Sequence, residues 1–173
     1  MINFFWRLIA RAVSRPTIAT WLIERSKRTP YQPIKSINGT DLYMGRWWLL
    51  NPYDQDTHKP LLRWFPWSMR IHHIVQPDAN RDLHDHPWNA RTIILRGWYI
   101  EERLSLGYRM RFSEHIRRGG DTARLNHGEF HRIEAVSPGG VFTLFITSRW
   151  KGDWGFLVKG VKVPWRKYMG DES

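Results

Sequence analysis

The chain has no cysteine, which excludes a disulfide framework, a thiolate metal ligand and a cysteine nucleophile. Any bound metal must be held by nitrogen and oxygen. Long apolar runs are missing too. Arginines interrupt every apolar stretch near the start of the chain well short of the ~20 residues that a membrane span needs. The opening residues read neither as a transmembrane helix nor as a cleavable signal peptide, because no uncharged core follows the first basic residue. Acids are few: 16 Asp and Glu against 27 Lys and Arg, a net charge of +11. That balance favours acidic partners such as nucleic acid, anionic lipid or a phosphorylated ligand, unless the cations are simply spread over a solvated surface. No phosphate-cradling glycine loop precedes a helix, since Gly119-Gly120-Asp121 reads as a hairpin turn, and no serine-nucleophile motif occurs. There is no internal repeat and no low-complexity tract.

What the chain does have is tryptophan, 11 in 173 residues. Aromatics at that density fill the core of a barrel and cover its ends, with ligand stacking as the alternative role for a few. The length suits one domain with a real core. From Ile2 to Arg28 the pattern is helical. Phe4, Phe5, Leu8, Ile9, Ala12 and Val13 recur at helical spacing, with Arg7, Arg11 and Arg15 on another face. Pro16 suits the first turn of a second helix, Thr17 to Lys27, carrying Ile18, Trp21 and Leu22 inward. These helices read as packed on the outside of the domain, with an anionic membrane surface as the alternative.

Thr29 to Thr40, with Pro30, Pro33, Asn38 and Gly39, reads as a linker or irregular arm. Short strand-like runs follow: Asp41–Leu50, aromatic Leu61–Trp67, Met69–Val75, Arg91–Leu95, Trp98–Leu104, Arg109–Phe112, Ile133–Val136, Val141–Ser148, Gly155–Val158 and Val161–Val163. Turn signals at Pro77-Asp78-Ala79-Asn80, Leu106-Gly107-Tyr108 and Ser137-Pro138-Gly139-Gly140 separate some of them. Short strands at close spacing without long helices between them point to an antiparallel sandwich or barrel. The division expected is residues 1–39 as helices and linker, 40–168 as barrel, and 169–173 as a tail.

Within that frame, His84-Asp85-His86-Pro87-Trp88 and Asn126-His127-Gly128-Glu129-Phe130-His131 carry the chemistry. If Leu83 to His86 is a strand, alternation places His84 and His86 on one face, and His131 from a neighbouring strand completes a metal-binding set. Core histidines bonded to backbone are the bland alternative. On Met69–Val75, Arg70, His72 and Ile74 share one face, and Ile71, His73 and Val75 share the other.

The order of these residues resembles the cupin superfamily. His84-x-His86 followed by Gly97 matches its first motif, with Ala90 where the family carries a glutamate ligand. Gly120 to His131 resembles its second motif, through Gly128 and His131, with Asn126 in place of a proline. The runs Tyr43-Met44-Gly45-Arg46-Trp47-Trp48, His84 to Trp88 and Asp153-Trp154-Gly155-Phe156 are similar to those of small phage and prophage cupins, a group without an assigned reaction. The resemblance covers roughly Leu42 to Trp165. It implies an all-β cupin jelly-roll, a double-stranded β-helix, with an N-terminal helical extension, and metal ligation by His84, His86 and His131.

Without the glutamate the donor set is three neutral imidazoles. These accept Fe(II), Zn, Ni, Mn or Cu, and selectivity rests on geometry and availability. A three-histidine cupin site resembles that of thiol dioxygenases, so Fe(II) and dioxygen-dependent oxidation of a small molecule are the leading expectation. Arg70 and His72 are the candidate substrate contacts; Arg91 is a weaker one because alternation points it outward. Metal-bound isomerase or hydrolase chemistry is the enzymatic alternative. A non-catalytic binding module for a host protein, a nucleotide or nucleic acid is the alternative from another class. A homodimer is a family-level expectation, and the compartment expected is the cytoplasm. Among the other polar residues, Asp82 and Asp85 are candidates to supply a carboxylate ligand or to orient an imidazole, with a rim or loop-fixing role the default for Asp85. His73 reads as packed or at the surface, and His127 as exposed at a turn. Glu101, Glu102 and Glu129 are candidate general bases, with a solvated surface role as the default. Tyr99 and Tyr108 are candidate acid–base phenols, with strand packing the simpler role.

Overall fold

A computed structural model describes residues 2–36, 39–54, 56–78, 81–105 and 111–170. The expected turn at Leu106-Gly107-Tyr108, including Tyr108, lies outside these residues, as do Asn38, Ala79, Asn80 and positions 171–173 of the tail. Two helices, α1 (Ile2–Val13) and α2 (Pro16–Ser26), precede eleven strands among the described residues. These are β1 (Gln32–Lys35), β2 (Leu42–Leu50), β3 (Ser68–Ile74), β4 (Ala90–Arg96), β5 (Trp98–Ser105), β6 (Arg111–Arg118), β7 (Thr122–Leu125), β8 (Phe130–Val136), β9 (Val141–Thr147), β10 (Gly155–Val158) and β11 (Val161–Pro164). A short helix, α3 (Trp165–Met169), follows.

Six strands form one antiparallel sheet in the order β1-β2-β3-β9-β4-β7, facing the three-stranded sheet β6-β5-β8. The segment holding His84 makes isolated bridges to His131 of β8 on one side and to Phe156 of β10 on the other. It thereby joins the β10-β11 hairpin to the second sheet. Two sheets wrapped face to face in this way make the jelly-roll expected from the strand pattern.

The two faces of the large sheet do different work. Its outer face buries Ile71, Ile93, Leu95, Leu144 and Ile146 against Ala10 of α1 and Ala19 and Ile23 of α2. Full burial of each such aliphatic side chain stabilises by about 1.5–3 kcal/mol. Pro16 starts α2 at its first helical position, where its missing N–H costs nothing. Ala19 and Ile23, four residues apart, then set the sheet-facing side of α2. This turns Trp21 and Ile18 outward, at 63% and 39% exposure, against the inward placement expected from spacing alone. Small residues let the helix approach closely, and the bulky ones are left to solvent.

The inner face carries Arg46 and Trp48 of β2, Arg70 and His72 of β3, and Thr143 and Phe145 of β9, placed side by side by the registers Trp48↔Arg70, Arg46↔His72 and His72↔Thr143. Tyr99 and Ile133 from the second sheet close over Ile74, Ile94 and Val141. Gly97, with φ of +85° between β4 and β5, makes the bend into the second sheet.

Three elements differ from the sequence reading. The arm from Thr29 carries strand β1, which pairs with β2 and so becomes part of the sheet. Leu61–Trp67 is irregular, because Pro60 and Pro66 remove ladder donors and Asn51 ties the loop down instead. Its Oδ1 accepts from Leu62 N at 2.7 Å and its Nδ2 donates to Trp67 O at 2.9 Å. Leu83 to His86 is not a continuous strand but an extended segment held at His84.

Candidate metal centre

Alternation survives even where the ladder does not. Leu83 and Asp85 are buried away from the site, while His84 and His86 turn toward His131. His84 and His131 exchange reciprocal backbone hydrogen bonds, N to O at 2.9 Å both ways, which locks their side chains to a common face. Asp85 anchors the segment from behind. Wholly buried, it takes the loop-fixing role and not the rim one: its carboxylate accepts from Gly155 N at 2.7 Å and from Lys162 Nζ at 2.5 Å.

One ring nitrogen from each of His84, His86 and His131 lies within 4.8 Å of the other two. The Nε2 atoms of His86 and His131 are 3.0 Å apart. Two imidazole nitrogens bound at right angles to one metal, each at about 2.1 Å, would stand about 3.0 Å from each other. Burial lowers the His84 pKa to about 4 and holds His86 well below the ordinary histidine value. Both rings are therefore neutral near pH 7, the form that binds metal. His84 Nδ1 is a buried nitrogen without a hydrogen-bond partner. An orphaned buried nitrogen and facing imidazole lone pairs fit a divalent cation better than a packed core.

His131 Nδ1 donates to Glu101 Oε1 at 2.9 Å, which commits the tautomer and leaves the Nε2 lone pair for the site. Glu101 is 2% exposed and also accepts from Arg103 Nη2 at 3.0 Å and Arg117 Nε at 3.3 Å. Burial alone would raise its pKa. The hydrogen bond and charge from His131, together with Arg103, outweigh that and depress it. The surface role expected of Glu101 is thus corrected: it is the buried carboxylate that orients a site histidine. A bulge in the β5–β8 pairing between Ile100 and Glu101 accompanies its placement opposite Ile133, two pairs along the ladder from His131, which stands opposite Arg103. The sequence carries no local signal for that register.

Aromatic rings wall the cluster. Trp88 stacks on His86 with centroids 5.0 Å apart, Phe156 lies 5.7 Å from His84, and Phe145 lies 5.9 Å from His86. Ala90 is buried with Trp88, Leu125 and Phe145, so its side chain joins the apolar wall and offers no ligand. His72 stacks on Phe145 at 4.7 Å, the ring that also lies 5.9 Å from His86, and its Nε2 is buried without a partner. Arg70 is 1% exposed. Its guanidinium lies 4.8, 5.1 and 5.3 Å from the ring centres of Trp48, Tyr53 and Trp88, and donates to Tyr53 Oη at 2.9 Å. Trp88 is therefore a neighbour of both Arg70 and His86.

Arg46, which sequence reasoning did not single out, sits beside this pair. Burial and the charge of Arg70 lower its pKa to about 10, and its Nε is buried without a partner. Among the described residues neither Arg46 nor Arg70 forms an ion pair. Of the buried carboxylates near the site, Asp85 is paired with Lys162 and Glu101 with His131 and two arginines, while Asp78 accepts from Ile133 N and forms no ion pair among the described residues. The pair Arg46 and Arg70 thus places two cations without a carboxylate partner among the described residues on the inner face of the sheet.

The other candidates are not drawn into the cluster. Arg91 lies on the outer face over Trp6. His73 stacks on Phe142 with its Nε2 against Gly139 O, and His127 is exposed at a turn. Glu129 bonds to Asn126 N and so fixes that turn, and Glu102 pairs with Arg132. Asp82 accepts from Tyr168 Oη at 3.1 Å. Tyr99 is buried in the core with its pKa raised by burial, which suits packing and not proton transfer.

No family model matches the chain, and no curated protein matches it either. Solved structures do. A cupin-2 domain protein of Rhodospirillum rubrum superposes with a TM-score of 0.53 at 10% identity, covering 76% of this chain and 77% of that one. A Bacillus subtilis oxalate decarboxylase variant gives a TM-score of 0.52 at 13% identity, over 73% of this chain and 29% of the other. The Lactobacillus farciminis oxalate decarboxylase in its formate complex gives 0.53 at 14% identity, over 85% and 36%. The chain therefore spans about a third of the decarboxylases it matches. At these identities the likeness establishes the cupin fold.

Proposed function

We propose that this cupin-fold chain is a mononuclear metal enzyme that binds Fe(II) through His84, His86 and His131 and oxidises a small anionic molecule with dioxygen. The observation that carries the reading is the convergence of three ring nitrogens, one of them oriented by a buried carboxylate. Bound iron would supply redox chemistry and, with only three protein ligands, open positions for oxygen and substrate.

The rest is done by the chain's own residues. His84 and His86 present neutral nitrogens, His131 presents its Nε2, and none of the three adds negative charge. Glu101 holds His131 in the binding tautomer. Trp88, Phe145, Trp154 and Phe156 keep water away and lower the local dielectric, which strengthens each charge interaction inside. Arg70 and Arg46, two inner-face cations without a carboxylate partner among the described residues, are the feature that would select an anion. His72, neutral and with a free Nε2, faces the same interior as a hydrogen-bonding contact for that substrate.

The test is oxygen consumption by tag-free protein reconstituted anaerobically with Fe(II), against a panel of small carboxylates and thiols. Uptake that needs both iron and a substrate, and that disappears in His86→Ala, is the expected result. Turnover with zinc or nickel but not iron would replace oxidation by isomerase or hydrolase chemistry.

A further inference from the structure

We propose that the outward sides of α1 and α2 dock on an anionic phospholipid leaflet. The observation behind this is that α1 is apolar over a wider arc than the sheet covers. Trp6, Ile9, Ala10 and Val13 pack against the barrel. Phe4, Phe5 and Leu8 remain at 67%, 60% and 49% exposure. At 100° per residue these three fall within an arc of roughly 100°, adjoining the packed one. Arg7 and Arg11 border it on the other side and are exposed. In α2 the exposed Ile18 and Trp21 share a face with Arg25, four residues beyond Trp21. Both helices pack on the same outer face of the large sheet, so the sides they turn from it lie on one side of the molecule.

Charge points to the occupant. Through residue 28 the chain has six cations, Arg7, Arg11, Arg15, Arg25, Lys27 and Arg28, all exposed, and one acid. That acid, Glu24, is paired with Lys27 at 2.7 Å. Six less one leaves +5 around exposed phenylalanine, leucine and tryptophan. A helix with aromatic and aliphatic tips rimmed by arginine lies in the headgroup region of an anionic membrane, where the tips enter the acyl boundary and the guanidinium groups meet phosphate. Because the histidine cluster lies on the inner side of the sheet, docking leaves it uncovered.

The experiment is co-sedimentation of the full chain with vesicles of phosphatidylserine and phosphatidylcholine, compared with phosphatidylcholine alone. Binding to the anionic vesicles, weak binding to the neutral ones and release by ~0.5 M salt are expected. Arg7→Ala plus Arg11→Ala should lower partitioning roughly 30-fold, and Phe4→Ser plus Leu8→Ser by roughly 100-fold. All four side chains are exposed, so both variants should melt with the wild-type chain and keep its metal content. Phe112→Ser plus Ile116→Ser, on the exposed side of β6, is the control that should bind normally. A wild-type chain that stays in solution with both vesicles overturns the proposal. So does a helix variant that folds and binds like wild type, an outcome that leaves these faces to a protein partner.

Discussion

Removing the Glu101 carboxylate tests how far the site depends on what lies behind its histidines. Glu101→Ala deletes the acceptor for His131 Nδ1, which frees the ring to rotate and to protonate either nitrogen. Loss of such a partner costs about 10–100-fold in metal affinity, or roughly 1.4–2.7 kcal/mol. The same change removes the carboxylate from Arg117 and from Arg103 Nη2, whose side chains are 21% and 19% exposed, although Arg103 Nη1 keeps Arg124 O at 2.6 Å and Glu129 at 3.9 Å. Breaking a buried ion pair from one side costs about 3–5 kcal/mol. Here the lower end is expected, because both arginines can reach water. Glu101→Gln separates the two effects: its amide oxygen can still accept from Nδ1 while the charge is gone. Competitive zinc titration should therefore rank wild type above Gln and Gln above Ala, and urea denaturation should show both variants destabilised. If Glu101→Ala folds and binds zinc with wild-type affinity, the orientation argument is wrong.

Further outcomes follow from the same geometry. Burial lowers the pKa of His84 to about 4 and of His86 well below its ordinary value, so the unfolded chain takes up protons first. Stability of the metal-free protein should be complete above about pH 6.5. It should fall as pH drops toward 4, by at most about 1.4 kcal/mol per pH unit for each histidine. Urea melts at pH 7, 6 and 5 check this, and a flat profile contradicts it. Asp85→Ala leaves Lys162 and Gly155 N without their buried acceptor, so melting temperature and zinc affinity should fall together although Asp85 is no ligand. Unchanged zinc affinity in a folded Asp85→Ala would detach that segment's anchoring from the site.

Much of the site is legible in local patterns. The spacing His84-x-His86 forces two rings to one side in any extended backbone, and it did so without a continuous strand. Alternation along β3 likewise assigns Arg70 and His72 to the inner face and His73 to the outer one. What stays hidden depends on pairing between distant strands. Glu101 looks like any strand acid until β5 is set between β6 and β8, and Arg46 joins Arg70 only through the β2–β3 register. Trp21 misleads for a different reason: helical spacing names an apolar face, but Ala19 and Ile23 decide which part of it the sheet accepts. Asp85, set between two site histidines, reads as a rim or loop-fixing residue, and only the β10-β11 hairpin, which brings Lys162 over it, decides for the second.

The central claim is that three histidines hold one divalent metal. Elemental analysis of tag-free protein after reconstitution with Fe(II) tests it most directly. About one metal ion per chain is expected, and none in His86→Ala plus His131→Ala. A wild-type chain that retains no iron, zinc, nickel, manganese or copper after exposure to each would contradict it, as would a double variant that keeps its full complement.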